Sequence, residues 1–336
     1  MSGHAPHGFA GLLAVDKPTG VTSHDVVLKV RRRLRSPGAG HLGTLDPGAS
    51  GLLMVAMGAA TRAIPVWQGG EKTYEGRAVF GVVTASQDLD GEILERRPTQ
   101  ALDPSVLARA TARFVGDLEQ VPPMVSALKI RGQRLHRLAR RGLTVERPAR
   151  RVRVCAWEWL DLALPEATFR IRCTAGTYVR TLIHDLGLEV GTGAALAALR
   201  RLRSEPFGLE RALPLAELDR LSSEQVLAAA GIPLDQALAG LPEVVLDEHA
   251  ALEVGAGGRP RVPRPRAPIG AGPRSVVLRG PDRRALALGE LVAADGDGEV
   301  SVCPHVVFPW AVRVGRRAGA PAGAAGGWEA LSERRA

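Results

Sequence analysis

The chain has 336 residues, 45% of them hydrophobic, and its 44 Lys and Arg against 35 Asp and Glu give a net charge of +9. This length allows two domains with buried cores, and the positive charge makes nucleic acid the first partner to test, although an Arg-rich proteome would give the same balance. Three cysteines without C-x-x-C spacing argue against a disulfide framework and a zinc site. No apolar run is long enough to span a bilayer, so we expect a cytoplasmic protein that does not bind membranes.

The predicted elements mix helices and strands without the regular repeat of a parallel α/β fold. The strand pattern is clearest at 168–174, where apolar residues alternate strictly with Arg170 and Arg172. The predicted elements in chain order are helix 23–34, strand 74–83, helices 104–114 and 132–141, strands 152–160 and 168–174, and helices 178–190 and 193–203. This order predicts a mixed α+β fold.

The composition changes after about residue 213. Short helical signals occur over 213–238, and Pro and Gly are frequent between residues 255 and 273. The short strands that follow, with turn residues between them, predict a small barrel-like β domain. We place its boundary near residue 240. A module that only supports the first domain would give the same pattern.

The segment 40–51, GHLGTLDPGASG, contains Asp46 directly before Pro47. An isolated Asp-Pro pair most often marks a helix start, with the carboxylate capping the backbone and Pro in the first turn. A carboxylate with an ordinary pKa of about 4 is also ionised at neutral pH and can act as a nucleophile without a general base. The segment alone leaves both interpretations open.

Six ordered segments together resemble the TruB family of pseudouridine synthases. They are DKPTGVTS at 16–23, GHLGTLDPGASG at 40–51, KTY at 72–74 with GVVTASQDLDG at 81–91, QVPPMVSALK at 120–129, GTYVRTL at 176–182 with HDLG at 184–187, and LRRL at 199–202. The chain departs from frequent family choices at Leu42, Val125, His136 and Glu205. None of these positions holds the carboxylate, the arginine or the tyrosines discussed next.

The resemblance implies an α+β pseudouridine-synthase core with a mixed, largely antiparallel sheet flanked by helices, followed by a small PUA-like β-barrel domain. The implied organisation is a loose N-terminus at 1–8, a catalytic domain at 9–212 that includes a basic RNA-binding segment at 129–153, a helical connector at 213–240, a PUA-like RNA-binding domain at 241–316 and a disordered tail at 317–336.

The implied activity is isomerisation of uridine 55 in the T-loop of tRNA after base flipping, by cleavage of the glycosidic bond, rotation of the uracil and formation of a C5–C1′ bond. By resemblance, Asp46 is the nucleophile, Tyr74 stacks on the uracil and relays the C5 proton, and Arg180 pairs with Asp46 to keep it placed and ionised. Covalent and glycal-type routes both remain open. No redox change is involved, so we expect no cofactor and no metal.

Five further residues are assigned to substrate binding by resemblance. Asp88 also pairs with Arg180, while Tyr178 and Leu199 complete an apolar cage around the base. His41 is the candidate for filling the stack that the flipped base leaves, and Lys17 is expected to contact a phosphate. Each residue also has a non-functional interpretation. The tyrosines could pack in the core, and Arg180 could form a surface salt bridge. His41 could be a hydrogen-bonded structural residue, and Lys17 could be a solvated charge in a turn.

The segment 129–153 is strongly basic, with Glu146 as its one acidic residue. Its cations are Lys129, Arg131, Arg134, Arg137, Arg140, Arg141, Arg147, Arg150, Arg151 and Arg153. We predict that five of them bind RNA, namely Lys129, Arg131, Arg134, Arg137 and Arg141, because helical spacing would align the arginines along one side. A solvated charged face is the alternative.

The predicted partner is tRNA, bound through the T-stem loop and also near the acceptor end, with no guide RNA and no obligate protein partner. Two competitors remain. A non-catalytic RNA-binding protein could use the same basic surface, and the guide-RNA-dependent branch of the superfamily shares the catalytic segments. Modification of bare tRNA by the purified protein would separate them.

Overall fold

A computed structural model describes residues 9–126, 129–130, 133–135, 143, 145–263, 275–293 and 298–312. The chain divides into two compact units, Met1–Ile232 and Pro233–Ala336. This division lies inside the segment 213–240 that we predicted to be a helical connector. The predicted loose N-terminus and the predicted tail at 317–336 lie outside the described residues.

The first unit is built on an eleven-stranded mixed sheet of described residues. The strands up to residue 233 are β1 (Gly11–Lys17), β2 (Ala39–His41), β3 (Ala49–Met57), β4 (Lys72–Phe80), β5 (Val82–Thr84), β6 (Ile93–Arg96), β7 (Gly116–Gln120), β8 (Lys129–Ile130), β9 (Gln133–Arg134), β10 (Arg150–Ala163), β11 (Glu166–Cys173), β12 (Ala194–Ser204), β13 (Phe207–Gly208), β14 (Leu213–Pro214) and β15 (Gly231–Pro233). The main order is β14-β1-β3-β12-β4-β11-β10-β7. Only the β14–β1 and β3–β12 pairs along this path are parallel, so the predicted mixed, largely antiparallel sheet is confirmed.

Helices flank this sheet. They are α1 (Ser23–Arg33), α2 (Ile64–Gln68), α3 (Pro104–Ala112), α4 (Val179–Glu189), α5 (Glu217–Arg220) and α6 (Ser223–Ala230), with 3₁₀ turns at Gly58–Ala63 and Leu209–Arg211. Helix α1 begins at a capping box formed by Thr22 and Asp25, and its last turn carries Arg residues, which suits the helix dipole. The helices predicted at 23–34, 104–114 and 178–190 are confirmed, each with ends within two residues of the prediction.

Two hydrophobic clusters form the core of this unit. In one, Ile183 of α4 packs with Phe169 of β11, and the other includes Val30 of α1. Tyr74 and Leu199 contact both clusters, so they lie at the border between them. Packing on both sides fixes the positions of these two side chains.

The helix predicted at 193–203 is wrong, because this segment forms the central strand β12. Ala, Leu and Arg favour helix locally, but β12 lies between β3 and β4 and its backbone groups pair with both neighbours. Gly51 allows the close approach to β3. Its φ is +100°, and a Cβ there would lie 2.3 Å from the Arg201 carbonyl oxygen.

The helix predicted at 132–141 is contradicted at Gln133–Arg134, which pair with Lys129–Ile130 as a short antiparallel ribbon. Residues 131–132 and 136–142 lie outside the described residues. Leu135 is already helical, so the prediction is contradicted only at Gln133 and Arg134 and stays a prediction over 136–141.

The second unit contains a small sheet, and its described strands are β16 (Glu243–Val245), β17 (Arg261–Pro263), β18 (Val276–Arg279), β19 (Ala285–Ala293) and β20 (Glu299–Val307). Their order is β16-β18-β19-β20-β17, in a curled half-barrel. Helices α7 (Leu234–Ala237) and α8 (Glu248–Gly255) belong to the same unit. Among the described residues of the chain, no helix is long and apolar enough to cross a membrane.

Candidate active site

A cleft of about 330 Å³ opens in the first unit, where the β2–β3 loop, β4, β12 and the start of α4 meet. The predicted site residues that line it are His41, Asp46, Tyr74, Tyr178, Arg180 and Leu199. Asp88 lines an adjoining cavity that also reaches Asp46 and Arg180. The structure therefore brings together predicted site residues that come from four of the six sequence segments.

Asp46 lies in the loop between β2 and β3. The Ala49 N–H donates to the Asp46 carbonyl oxygen at 3.0 Å, and the chain then enters β3 directly, so no helix follows Pro47 and the capping interpretation is wrong. The Ser23 hydroxyl accepts from the Leu45 N–H at 2.8 Å and donates to the Leu45 carbonyl at 3.0 Å. The first residue of α1 thus fixes the backbone immediately before Asp46.

Arg180 joins two carboxylates beneath the cleft. This residue is 4% exposed, and its Nη2 lies 3.2 Å from Asp46 Oδ2 while its Nη1 lies 3.4 Å from Asp88 Oδ2. Its guanidinium also donates to the carbonyl oxygens of Ser86 and Val125. A buried guanidinium with four acceptors is held firmly, so Arg180 sets the position of Asp46.

Burial raises the pKa of Asp46 above its usual value, which differs from the ordinary pKa that we expected. The Arg180 charge opposes this shift, Asp88 adds to it, and the Lys17 charge lowers the pKa. The side chain is nevertheless 47% exposed, because its free surface faces the cleft while protein atoms surround the rest. Arg180 is thus the largest of the charges that favour the ionised form of Asp46.

Lys17 is fully buried, so the expectation that it contacts a phosphate is wrong. Its ammonium donates to the carbonyl oxygens of Pro18 at 2.9 Å, Val21 at 2.8 Å and Pro47 at 3.4 Å. Burial lowers its pKa to about 8, with the Asp46 charge raising it and the Arg201 charge lowering it. Lys17 therefore ties the DKPTG turn to the residue that follows Asp46.

Tyr74 lies on β4 opposite Arg201 of β12. Burial raises the pKa of its hydroxyl, while the charge of Arg201 and a hydrogen bond with it lower that pKa. Arg201 itself is 2% exposed and donates to the carbonyl oxygens of Leu52 at 2.7 Å, Gly43 at 3.1 Å and Thr44 at 3.3 Å. The same guanidinium therefore holds the Asp46 loop and contacts the Tyr74 hydroxyl.

Arg201 and Gln120 lie in the matched segments, but their residue types and spacing predicted no role for them. Gln120 is 2% exposed, accepts from the Tyr178 N–H at 2.8 Å and donates to the Tyr178 carbonyl at 3.0 Å. This pair of bonds fixes Tyr178 at the start of α4. A buried polar residue cannot be recognised without the fold, so only its place in a motif could have identified it.

His41 lines the cleft and has a lowered pKa, chiefly through burial and then through the Arg201 and His24 charges. Its Nδ1 has no hydrogen-bond partner among the described residues. A neutral ring in the cleft wall is suited to stacking in an RNA helix, which is the role expected for it.

The predicted RNA-binding residues of the basic segment are placed only in part. Lys129 and Arg134 lie on β8 and β9, and their side chains are outside the description. Arg131, Arg137 and Arg141 lie outside the described residues altogether. Their role stays a prediction.

Within the described ranges, no group of His, Cys, Asp and Glu is arranged to hold a metal ion. The cleft instead offers one carboxylate fixed by a buried guanidinium, an adjacent phenol and apolar walls. These groups can support attack at a sugar or base carbon and transfer of a proton, with the base held between Tyr74 and Leu199.

Two family models match consecutive parts of the chain. Residues 31–179 match the TruB family pseudouridylate synthase N-terminal domain, and residues 180–239 match the tRNA pseudouridylate synthase B C-terminal domain. Proteins called tRNA pseudouridine synthase B are similar at 47% identity in Opitutus terrae, over 64% of this chain and 90% of that protein, and at 40% in Thermobifida fusca, over 83% and 94%.

The chain is also similar to chains in solved structures. The chain is similar to one in a crystal structure of a Cbf5-Nop10-Gar1 complex, with a TM-score of 0.69, 28% identity and 91% of each chain covered. It is also similar to one in an H/ACA RNP bound to a substrate RNA containing 2'-deoxyuridine, with a TM-score of 0.67, 27% identity and coverage of 89% and 84%.

Proposed function

The chain belongs to the TruB family of pseudouridylate synthases, as its motifs predicted, and from this we propose that it isomerises uridine 55 in the T-loop of tRNA to pseudouridine. The observation that carries the proposal is the bridge from Arg180 to Asp46 and Asp88 in a cleft walled by Tyr74 and Leu199.

Asp46 is the reacting carboxylate in this proposal. It is exposed to the cleft on one side and paired with Arg180 on the other, so it can reach a nucleotide while its charge is retained. The glycosidic C1′–N1 bond breaks, the uracil turns, and a C5–C1′ bond forms, so that the product has the same atoms as the substrate. The whole change consumes no oxidant and no external energy source.

Tyr74 has two tasks in this scheme. Its ring, packed against both core clusters, supports one face of the uracil. Burial raises the pKa of its hydroxyl, so the group is protonated at neutral pH. It serves as a relay that takes the C5 proton and passes its own proton on to N1 of the uracil, which carries a hydrogen once the C1′–N1 bond is broken. Arg201, bonded to that hydroxyl, stabilises the charge that develops during the relay.

The substrate nucleotide must leave the T-loop stack to reach Asp46, at a cost of a few kcal/mol. We propose that neutral His41 replaces it in the stack and that Tyr178 and Leu199 close around the base. The basic segment 129–153 would grip the RNA backbone, and the second unit would bind near the acceptor end. The proposed localisation is cytoplasmic, where tRNA is available.

The test is a reaction between purified protein and an unmodified tRNA transcript, without guide RNA or other protein. We expect pseudouridine at position 55, mapped by chemical labelling. Modification only after a guide RNA and partner proteins are added would favour the guide-dependent branch of the superfamily. RNA binding without any pseudouridine would favour a non-catalytic RNA-binding protein.

A further inference from the structure

Three arginines of the described residues line the cleft, and they differ in what their donors contact. The terminal nitrogens of Arg180 are bound to carboxylates and carbonyls, and Arg201 is bound to three backbone carbonyls. The Nε of Arg180 is shielded and has no hydrogen-bond partner among the described residues. Arg150 has two such nitrogens. Its Nε and Nη2 are shielded from solvent and have no hydrogen-bond partner among the described residues.

Arg150 is the first residue of β10, and its guanidinium carbon lies 4.6 Å from the centre of the Tyr178 ring. Stacking on Tyr178 holds the flat face of the guanidinium, whereas its donors lie along the edge. Buried donors of a charged group without an acceptor cost free energy, and such groups in a native structure call for a ligand or another explanation. The position in the cleft wall indicates a ligand from the substrate.

We propose that Arg150 binds a phosphate of the RNA backbone beside the uridine that enters the cleft. This inference rests on the proposed function and adds a contact that its catalytic residues do not make. A phosphate is favoured over a uracil carbonyl because a guanidinium fork matches two phosphate oxygens and its full charge is then balanced. In the cleft, Arg180 pairs with the carboxylates of Asp46 and Asp88, whereas Arg150 has no hydrogen-bonded anion among the described residues.

This contact has a positioning consequence. The centre of the Tyr178 ring lies 4.6 Å from the Arg150 guanidinium carbon and 6.0 Å from that of Arg180, so a phosphate bound to Arg150 fixes the backbone of the RNA close to the ring that closes around the base. The contact would anchor the flipped nucleotide at its phosphate while Asp46 acts on its sugar or base. It is thus separate from the non-specific grip predicted for the arginines of the β8–β9 region.

The test combines a protein change with a change in the RNA. T-stem-loop RNAs are made with one neutral methylphosphonate at each linkage in turn around the target uridine, and their affinities are measured for the wild-type protein and for Arg150→Gln. We expect one linkage at which the neutral group weakens wild-type binding about tenfold or more but changes binding to Arg150→Gln less than about twofold. Arg150→Lys should show an intermediate loss, because it keeps the charge but not the fork.

Arg151→Gln is the matched control. Arg151 follows Arg150 on β10, is exposed, and alternates to the opposite face of the strand, away from the cleft wall. Its response to the methylphosphonate at that linkage should equal that of the wild type. If the methylphosphonate lowers RNA affinity equally at every linkage for the wild type and both Arg150 variants, the phosphate contact is overturned. If, in addition, Arg150→Gln binds the unmodified RNA more weakly than the wild type, the contact is with a uracil carbonyl instead.

The wild-type protein also reports on the proposed function in the same samples. If it forms pseudouridine in the unmodified RNA and yet shows no Arg150-dependent linkage, the phosphate contact fails alone. If it forms none on any RNA, the proposed function fails, and the linkage data still decide whether Arg150 binds a phosphate.

Discussion

Arg180 Nη2 lies 3.2 Å from Asp46 Oδ2, and the other terminal nitrogen of the same guanidinium lies 3.4 Å from Asp88 Oδ2. One buried side chain from the start of α4 thus fixes the loop that carries Asp46. The arrangement resolves a conflict at this position, since burial disfavours the charge of Asp46 and the guanidinium favours it.

Arg180→Gln should therefore shift the pH dependence of turnover. Arg180 lowers the pKa of Asp46, so its removal raises that pKa, and a higher pH is then needed to ionise the carboxylate. We expect the acidic limb of the single-turnover pH–rate profile to move to higher pH, together with a rate loss of at least about a hundredfold. Arg170→Gln, which removes an exposed partner of Glu75, should leave the limb unchanged. An unshifted limb in Arg180→Gln would contradict the electrostatic role.

Tyr74→Phe separates stacking from proton transfer. The ring survives and the hydroxyl that contacts Arg201 is lost, so we expect turnover to fall by at least about a hundredfold with little change in tRNA affinity. Tyr74→Leu should impair both base placement and turnover. Release of tritium from 5-tritiated uridine in single-turnover reactions measures the step, and near wild-type release by Tyr74→Phe would leave Tyr74 only as a stacking platform.

Lys17→Met tests a structural role where we had expected RNA contact. The change leaves three backbone carbonyls without their donor, including that of Pro47, so we expect a loss of about 1–3 kcal/mol in the free energy of unfolding and slower turnover. RNA affinity and its salt dependence should stay close to wild type. Lys29→Met is the control, since Lys29 pairs with Asp219 on the surface. A weaker salt dependence without loss of stability would restore the phosphate contact.

The lowered pKa of Lys17 also predicts how its contribution to the free energy of unfolding changes with pH. Its pKa falls from 10.5 in the unfolded chain to about 8 in the folded one, so between these values the unfolded state binds more protons. The Lys17 contribution to the free energy of unfolding is accordingly least favourable below about pH 8 and rises up to about pH 10.5. The difference between wild type and Lys17→Met should grow over this range in chemical unfolding experiments, and a flat difference would contradict the buried charge.

The motifs allowed prediction of which side chains meet, since Asp46, Arg180 and Asp88 come from three separate segments and lie together as expected. The spacing of the motifs could not show which of the surrounding residues are buried and which contact solvent. Lys17 looked like a surface cation because it lies between Asp16 and Pro18, and only the fold reveals that it is buried.

Segment 193–203 shows a second limit. Its residues favour a helix, but pairing with β3 and β4 outweighs that preference. The error matters for function, because the strand places Leu199 at the cleft and Arg201 opposite Tyr74. Long-range pairing of this kind has no local signal in the sequence.

The basic segment yields a prediction about salt. Replacement of Arg134, Arg137 and Arg141 by Gln should weaken tRNA binding and reduce its dependence on salt, by up to about one unit of slope for each lost phosphate contact. Titrations of tRNA at several salt concentrations measure the slope. Arg77→Gln, which removes one exposed partner of Glu166, provides a single-charge control. An unchanged slope in the triple variant would identify these arginines as a solvated face.

The most direct test of the central claim is pseudouridine formation by Asp46→Asn on a T-stem-loop transcript, compared with wild type and with Asp117→Asn. The Asp117 side chain is 74% exposed and forms an ion pair with Arg153. Asn keeps the shape of Asp46 but cannot act as the carboxylate, whereas most of the RNA affinity comes from phosphate contacts. We expect no pseudouridine from Asp46→Asn, RNA affinity within a few-fold of wild type, and full activity in the control. Turnover by a clean preparation of Asp46→Asn would contradict the account.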